Sequence, residues 1–480
     1  MKTAARVRGF RSDRRWWAVV AGVLAVTAVV GVVASSPAAR PASPSCAASS
    51  TAAPSTVTPI HHLFVLIKEN HAFENYFGSK PGVLGYPPNG SLPVAFNSST
   101  VVHPFPLTGY RTPDFPHTES ADRADLNGGR NNGFVAEANA SGAPDPQDAA
   151  GYYTVRQLYD YFEYADAYGL GDQFFTGVLG PTEPNRVFDI TGYAGSWDAD
   201  APPPANVTAQ PTVLGQLEDA GIPWLYSYQG SETGLVPLLF PAITSDPCAL
   251  ARITPVSSLP AQLSSPTPPS VVFIDPSPSQ RYSEHPPENV TVGMEWSTAV
   301  INAIETSPVA NSSAILLFYD ENGGYWDPIP PPLTSTGSDG FRVPFVVISP
   351  WTPPGTVCSA PLDPAAVLRF IDVNWRLPFL NARVADAPSL GCFFNFTQPP
   401  RPPIVLPTPI GLTSSSAAAS VARPPAGVDL GRGSTPALAS VSGGTSAALT
   451  ERRSAWIGRL RRPPTRVGSP RRVGRSGRPR

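Results

Sequence analysis

The sequence predicts an α/β fold, a central and largely parallel (mixed) sheet between helical layers. Short, β-branched apolar runs occur at 61–67 (HHLFVLI), 271–275 (VVFID), 314–319 (AILLFY) and 343–349 (VPFVVIS). Each has strand length and is apolar enough to be covered on both faces. Stretches with helical periodicity lie among them at 153–168, 211–220 and 293–306. Strands that alternate with helices are joined by crossovers, and crossovers make parallel sheets with helices on their faces.

The chain has 480 residues, of which 41% are hydrophobic, enough for one large domain or two smaller ones with a sizeable core. Charge divides it into three parts. Residues 1–40 hold 7 basic and 1 acidic residue, 401–480 hold 14 and 2, and 41–400 hold 13 and 33. A body this acidic argues against nucleic acid as a partner, because a phosphate backbone needs a basic face. It suits a protein that concentrates cations.

The N-terminus has the layout of an export signal. Arg6, Arg8, Arg11, Arg14 and Arg15 precede the apolar run Trp16–Ala34, and the small residues ASSPAA (34–39) follow. The run is also close to the length of a membrane-spanning helix. A cleaved signal and a retained membrane anchor are therefore two open readings. Both put the body outside, extracellular or on the outer face of the cytoplasmic membrane, because the basic flank stays in the cytoplasm. Residues 1–40 read as signal or anchor, 41–59 as an Ala/Ser/Pro linker and 60–400 as the folded body. Residues 401–480, with 11 Arg among the last 30, read as a disordered tail. Cys46, Cys248, Cys358 and Cys392 fit no zinc pattern. A Cys358–Cys392 disulfide competes there with free buried thiols.

Ligands of open α/β sheets bind beyond the carboxyl ends of the strands. The run 61–67 continues into Lys68, Glu69 and Asn70. The run 314–319 continues into Asp320, Glu321 and Asn322, then Gly323-Gly324, which permit a sharp turn. On neighbouring strands, Glu69, Asn70, Asp320 and Glu321 would share one rim. That all-oxygen set suits a hard divalent cation. Polar residues also simply mark loops after strands, but two such clusters in one sheet favour a site.

Thr182 lies in GPTEPNR (180–186), where a helix is expected to begin. Its hydroxyl is either an N-cap or a nucleophile toward phosphorus, facing backbone N–H groups that favour an anion. Asn185 and Arg186 are near enough to assist that anion. His117 (in PDFPHTES) and His285 (in SEHPPEN) sit in Pro-bounded loops. A histidine so placed can donate to a phosphate oxygen or protonate a leaving group. His61 and His62 open a strand and read as structural.

Together these segments resemble the bacterial phosphoesterase family that contains phospholipases C and acid phosphatases. The matching stretches are 60–82, 117–134, 151–186, 284–293, 316–332 and 340–351, in family order. The resemblance implies an alkaline-phosphatase-like fold and metal-dependent hydrolysis of phosphate esters. It implies Glu69, Asn70, Asp320 and Glu321 as metal ligands, and Thr182 as a nucleophile that also touches the metal and becomes phosphorylated. It implies His117 and His285 as lining the phosphate site. The divalent metal ion is left open among Ca, Mg, Mn, Fe and Zn. The substrate is left open between a small monoester and a phospholipid. Three places depart from the family pattern, each where family histidines are expected: Asn322, Trp326-Asp327-Pro328 and Asp363-Pro364-Ala365-Ala366. These leave outer-pocket contacts and leaving-group protonation open. The competing reading is an inactive, envelope-associated binding module of the same fold, against which the complete ligand set argues.

Overall fold

A computed structural model describes Cys46 and residues 54–412, apart from 233, 277–279 and 335–336. The signal or anchor run Trp16–Ala34, most of the linker and the tail from 413 onward lie outside the described residues. Among the described residues, no helix is long and apolar enough to cross a membrane.

Eight strands build the main sheet: β1 (His62–Lys68), β2 (Gly169–Gly171), β3 (Trp224–Tyr228), β4 (Ile253–Pro255), β5 (Val271–Asp275), β6 (Ser313–Tyr319), β7 (Phe345–Ile348) and β8 (Thr356–Cys358). Their spatial order is β8-β2-β7-β6-β1-β5-β3-β4. Every neighbouring pair is parallel except those of β7, which runs against both β6 and β2. The sheet is thus mixed and mostly parallel, as the sequence predicts. The four apolar runs form its contiguous centre, β7-β6-β1-β5. Phe64, Val65 and Leu66 on β1 are fully buried, as are Ile315 and Leu316 on β6. A strand covered on both faces has no polar side to alternate with.

The helices that matter for the site are α1 (Glu119–Leu126), α2 (Tyr159–Ala167), α3 (Thr182–Thr191), α4 (Val213–Asp219), α5 (Val290–Glu305) and α6 (Pro364–Asn374). They flank the sheet in two groups, α2 with α5, and α3 with α4 and α6. Local chemistry sets their starts. Thr212 caps α4 by accepting from Gly215 N at 3.0 Å. Asn289 caps α5 by accepting from Thr291 N at 3.0 Å, so that the helix begins at Val290, three residues before the expected start. α2 begins six residues later than expected. Gln157 Oε1 accepts from Thr154 N at 2.8 Å, a local bond that competes with the helix ladder.

The folded body extends past both expected edges. Val57 N donates to Asn374 O at 2.9 Å. Asn302 on α5 exchanges two hydrogen bonds with the backbone of Leu406, at 2.7 and 3.1 Å. The expected boundaries at 60 and 400 therefore cut into packed chain. The Cys358–Cys392 disulfide is present, and Cys46 pairs with Cys248 across 202 residues, which no spacing rule suggested.

β1 lies between β6 and β5, and its register pairs Lys68 with Tyr319. The next residues, Glu69 and Asp320, therefore leave the sheet side by side.

Candidate active site

Three strand ends meet at this rim, and each delivers a carboxylate: Glu69 after β1, Asp320 after β6 and Asp275 at the end of β5. Asn70 takes a left-handed backbone (φ 63°), which Asn tolerates better than most residues. Its N–H donates to Asp320 Oδ1 at 3.2 Å. Glu321 N donates to the same oxygen at 2.8 Å, and Gly323 N donates to Glu321 Oε2 at 2.6 Å. Gly323 and Gly324 are both left-handed, so the expected sharp turn is there. A Cβ on Gly323 would sit 2.3 Å from Asn70 O, and one on Gly324 2.6 Å from Pro116 O. The two glycines thus let the turn close on Asn70 and on the loop that carries His117.

Arg186 on α3 reaches under the rim. It donates to Asp320 Oδ2 at 3.0 Å, Asp275 Oδ1 at 2.9 Å and Lys68 O at 3.1 Å, and lies 3.5 Å from Glu69 Oε1. Its donors are committed to the protein, so it clamps the carboxylates and does not assist an anion as expected from sequence. Asn185 is likewise structural. Its Oδ1 accepts from Val178 N, and its Nδ2 donates to Gly180 O and Pro181 O, which fixes the loop entering Thr182.

Glu69, Asp275 and Asp320 are buried around one arginine, and Glu321 is buried beside Asp320. Burial pushes the Glu69 carboxyl up to about 7, against the pull of Arg186. Burial, then Asp320, push Glu321 well above the usual carboxylate range. Two buried oxygens here, Asn70 Oδ1 and Glu321 Oε1, have no hydrogen-bond partner. Excess negative charge and unpartnered oxygens are costly unless a cation meets them. The residues therefore fit a divalent ion with oxygen ligands.

Thr182 is the first residue of α3. Pro181 precedes it, and no side chain caps the helix. Its hydroxyl is not a cap, which removes the commoner of the two roles read from sequence. The helix start is a poorer anion site than expected. Pro184 has no N–H, and the N–H of Glu183 donates to Asp200 Oδ1 at 3.0 Å. Thr182, Glu69, Glu183, Asp200 and His285 line one cleft of about 480 Å³.

The two loop histidines meet here, with ring centroids 6.2 Å apart. His117 Nδ1 bonds Phe115 O at 2.7 Å, and His285 Nδ1 bonds Pro286 O at 2.6 Å. A carbonyl only accepts, so both Nδ1 atoms carry protons, and Nε2 of each neutral ring holds a lone pair. Donation from Nε2 requires the doubly protonated ring. Asn70 Nδ2 lies 3.4 Å from His117 Nε2. Asp114, His117 and His285 also bring one ligand atom each within 4.8 Å of one another, a second group able to hold a metal.

Of the seven sequence-selected residues, Glu69, Thr182 and His285 line this cleft, and Asp320, Asn70, Glu321 and His117 join them through Arg186, direct hydrogen bonds and the His117–His285 ring contact. Sequence reasoning missed Asp275, Asp200 and Asp114. Asp275 was detectable, since it ends a predicted strand of the same sheet. The departures from the family pattern fall in the scaffold. Asn322 Nδ2 donates to Tyr325 O, Asp327 pairs with Arg342, and Asp363 caps α6.

A family model, the Phosphoesterase family, matches residues 60–378. Phospholipase C A of Mycobacterium tuberculosis is 26% identical over 418 residues, covering 72% of this chain and 79% of that protein. The non-hemolytic phospholipase C of Burkholderia pseudomallei is 26% identical over 433 residues, covering 72% of this chain and 60% of that protein. A crystal structure of a protein in the alkaline phosphatase superfamily from Vibrio parahaemolyticus aligns with TM-score 0.38 and 9% identity, over 71% of this chain and 74% of that one. The family match begins just before β1, ends just beyond α6 and takes in every residue of the carboxylate rim. The chain belongs to the phosphoesterase family, as a hydrolase acting on phosphoric ester bonds.

Proposed function

We propose that this hydrolase is metal-dependent and exported, and that it works through Thr182 and a phosphothreonine intermediate. The observation that carries the reading is the pair of unpartnered buried oxygens, Asn70 Oδ1 and Glu321 Oε1, each next in sequence to a rim carboxylate, together with the cleft that Glu69 and Thr182 line, the Thr182 hydroxyl not being used for capping. A divalent ion held by Glu69, Asn70, Thr182, Asp320 and Glu321 would lower the pKa of that hydroxyl and neutralise phosphoryl oxygens. The Thr182 oxygen attacks phosphorus, and the P–O bond to the leaving alcohol breaks. His117 or His285, when doubly protonated, gives the departing oxygen its proton. Water then attacks the phosphothreonine, which restores the hydroxyl and releases the phosphate product. Among substrates, the names of the curated relatives support a lipid phosphodiester. Turnover of phosphatidylcholine measured beside p-nitrophenyl phosphate decides between diester and monoester. Export is supported by the two disulfides, which use all four cysteines and call for an oxidising compartment. The apolar run Trp16–Ala34 is the proposed signal or anchor.

The test of the nucleophile is Thr182→Val, which keeps shape and removes the hydroxyl. The variant should melt with the parent and lose nearly all turnover, and acid quenching of the parent should trap phosphate on Thr182. An active Thr182→Val enzyme, or phosphate trapped elsewhere, refutes the mechanism. Exhaustive chelation should abolish activity, and full activity with no metal by elemental analysis refutes the metal.

A further inference from the structure

We infer that Glu284 is a positioning residue that sets His285 and Glu69 relative to Thr182. This rests on the reading of those three residues as one active cleft. Glu284 is fully buried and has a left-handed backbone (φ 73°), which is rare for a residue of its size. That conformation turns one side chain inward and lets the next, His285, line the cleft.

Both carboxylate oxygens are held. Oε1 accepts from Tyr161 OH at 2.6 Å and lies 3.0 Å from Lys68 Nζ. Oε2 accepts from Tyr76 OH at 2.6 Å and from Tyr319 OH. Its backbone carbonyl accepts from His71 Nε2 at 2.9 Å. Gly293 on α5 makes the room, since a Cβ there would lie 2.2 Å from Glu284 Cγ.

The partners are as telling as the number. Lys68 immediately precedes Glu69, as Glu284 immediately precedes His285. Glu69 N donates to Ser283 O at 3.1 Å, and His285 N donates to Ser283 Oγ at 3.2 Å. Two cleft residues are therefore stitched together directly beneath by an ion pair and by the residue on its other side. A buried ion pair contributes little net stability compared with apolar side chains of similar volume, whereas it fixes geometry. Displacing one cleft residue by about 1 Å can lower turnover about 100-fold.

The experiment is a double-mutant cycle on the full chain, with kcat and KM measured for Glu284→Gln, His285→Gln and both together. Because Glu284→Gln leaves Lys68 charged in the interior, the neutral pair Lys68→Met/Glu284→Gln is measured beside it. The neutral pair should fold, with kcat reduced about 10–100-fold and KM little changed. Glu284→Gln should cost clearly less on the His285→Gln background than in the parent, because the part of its effect carried by that ring is already gone and only the part carried by Glu69 remains. The inference is overturned by wild-type turnover in the neutral pair, by its failure to fold, by independent multiplying effects in the cycle, or by a His285→Gln enzyme of full activity. Thr182→Val separates these failures from failure of the phosphoesterase mechanism, since it loses turnover whatever Glu284 does.

Discussion

Lys68 and Glu69 are adjacent residues at the end of one strand, and they enter opposite kinds of polar centre. On the Lys68 side, the carboxylate of Glu284 has a partner for each oxygen. On the Glu69 side, three carboxylates share Arg186, Glu321 stands beside them without it, and two oxygens have no partner. Burial is the same in both places, so burial does not separate scaffold from site. What sets the rim apart is unpartnered oxygens gathered beside excess negative charge, a combination that a bound cation would relieve. The Arg342–Asp327 pair resembles the Lys68 side, in that each carboxylate oxygen of Asp327 has a partner, although Glu74 Oε2 beside it has none. Arg342 is fully buried, pairs with Asp327 at 2.8 Å and with Glu74, and donates to Leu84 O and Asp172 O.

The contrast is sharpest for activity. Glu321→Gln removes charge at the unsatisfied rim with little change of volume. Turnover should fall by about 100-fold or more, as for lost transition-state electrostatics. Stability should hold or rise, because a poorly compensated buried charge is gone. A melting temperature that falls as activity does would merge the two centres into one kind.

Arg342→Met tests the other side. It strands two buried carboxylates and should destabilise the fold by about 3–5 kcal/mol, read from denaturant midpoints. A smaller loss, with activity reduced at temperatures where the variant is folded, would move Arg342 to the functional side.

The smallest effect concerns Glu305 on α5, a buried carboxyl with intermediate satisfaction. Burial pushes it up to about 7, against hydrogen bonds from Tyr168 OH and Ile404 N. A raised carboxyl pKa means that the folded state keeps its proton while the unfolded state releases it. The contribution of Glu305 to stability therefore falls as pH rises from its unfolded value of 4.5 to about 7, and is constant above. Glu305→Gln should gain stability relative to the parent between pH 5 and pH 8. A pH-independent difference would show that the carboxyl ionises normally in place.

The centre of the sheet and the meeting of Glu69 with Asp320 were legible because both rest on local patterns: uninterrupted apolar strands, and acids placed after them. Partners that depend on long-range placement were not. Arg186 reads as an anion binder beside Thr182, and only the packing of α3 under the rim turns its donors to Asp275 and Asp320. Glu284 is one acid among many until Lys68, Tyr76, Tyr161 and Tyr319 converge on it from separate segments. The helix predicted at 153–168 was too long because periodicity does not register the side-chain bond between Thr154 and Gln157.

The Cys46–Cys248 bond sets a leash length. Cys46 stands only 12 positions after Ala34, the last residue of the apolar run. Fully extended, that stretch reaches about 40 Å. The crosslink moves the point from which the chain before Cys46 leaves the body to Cys248. Reduction would move that point to the next stretch held by the body, near Val57, and free the chain between them.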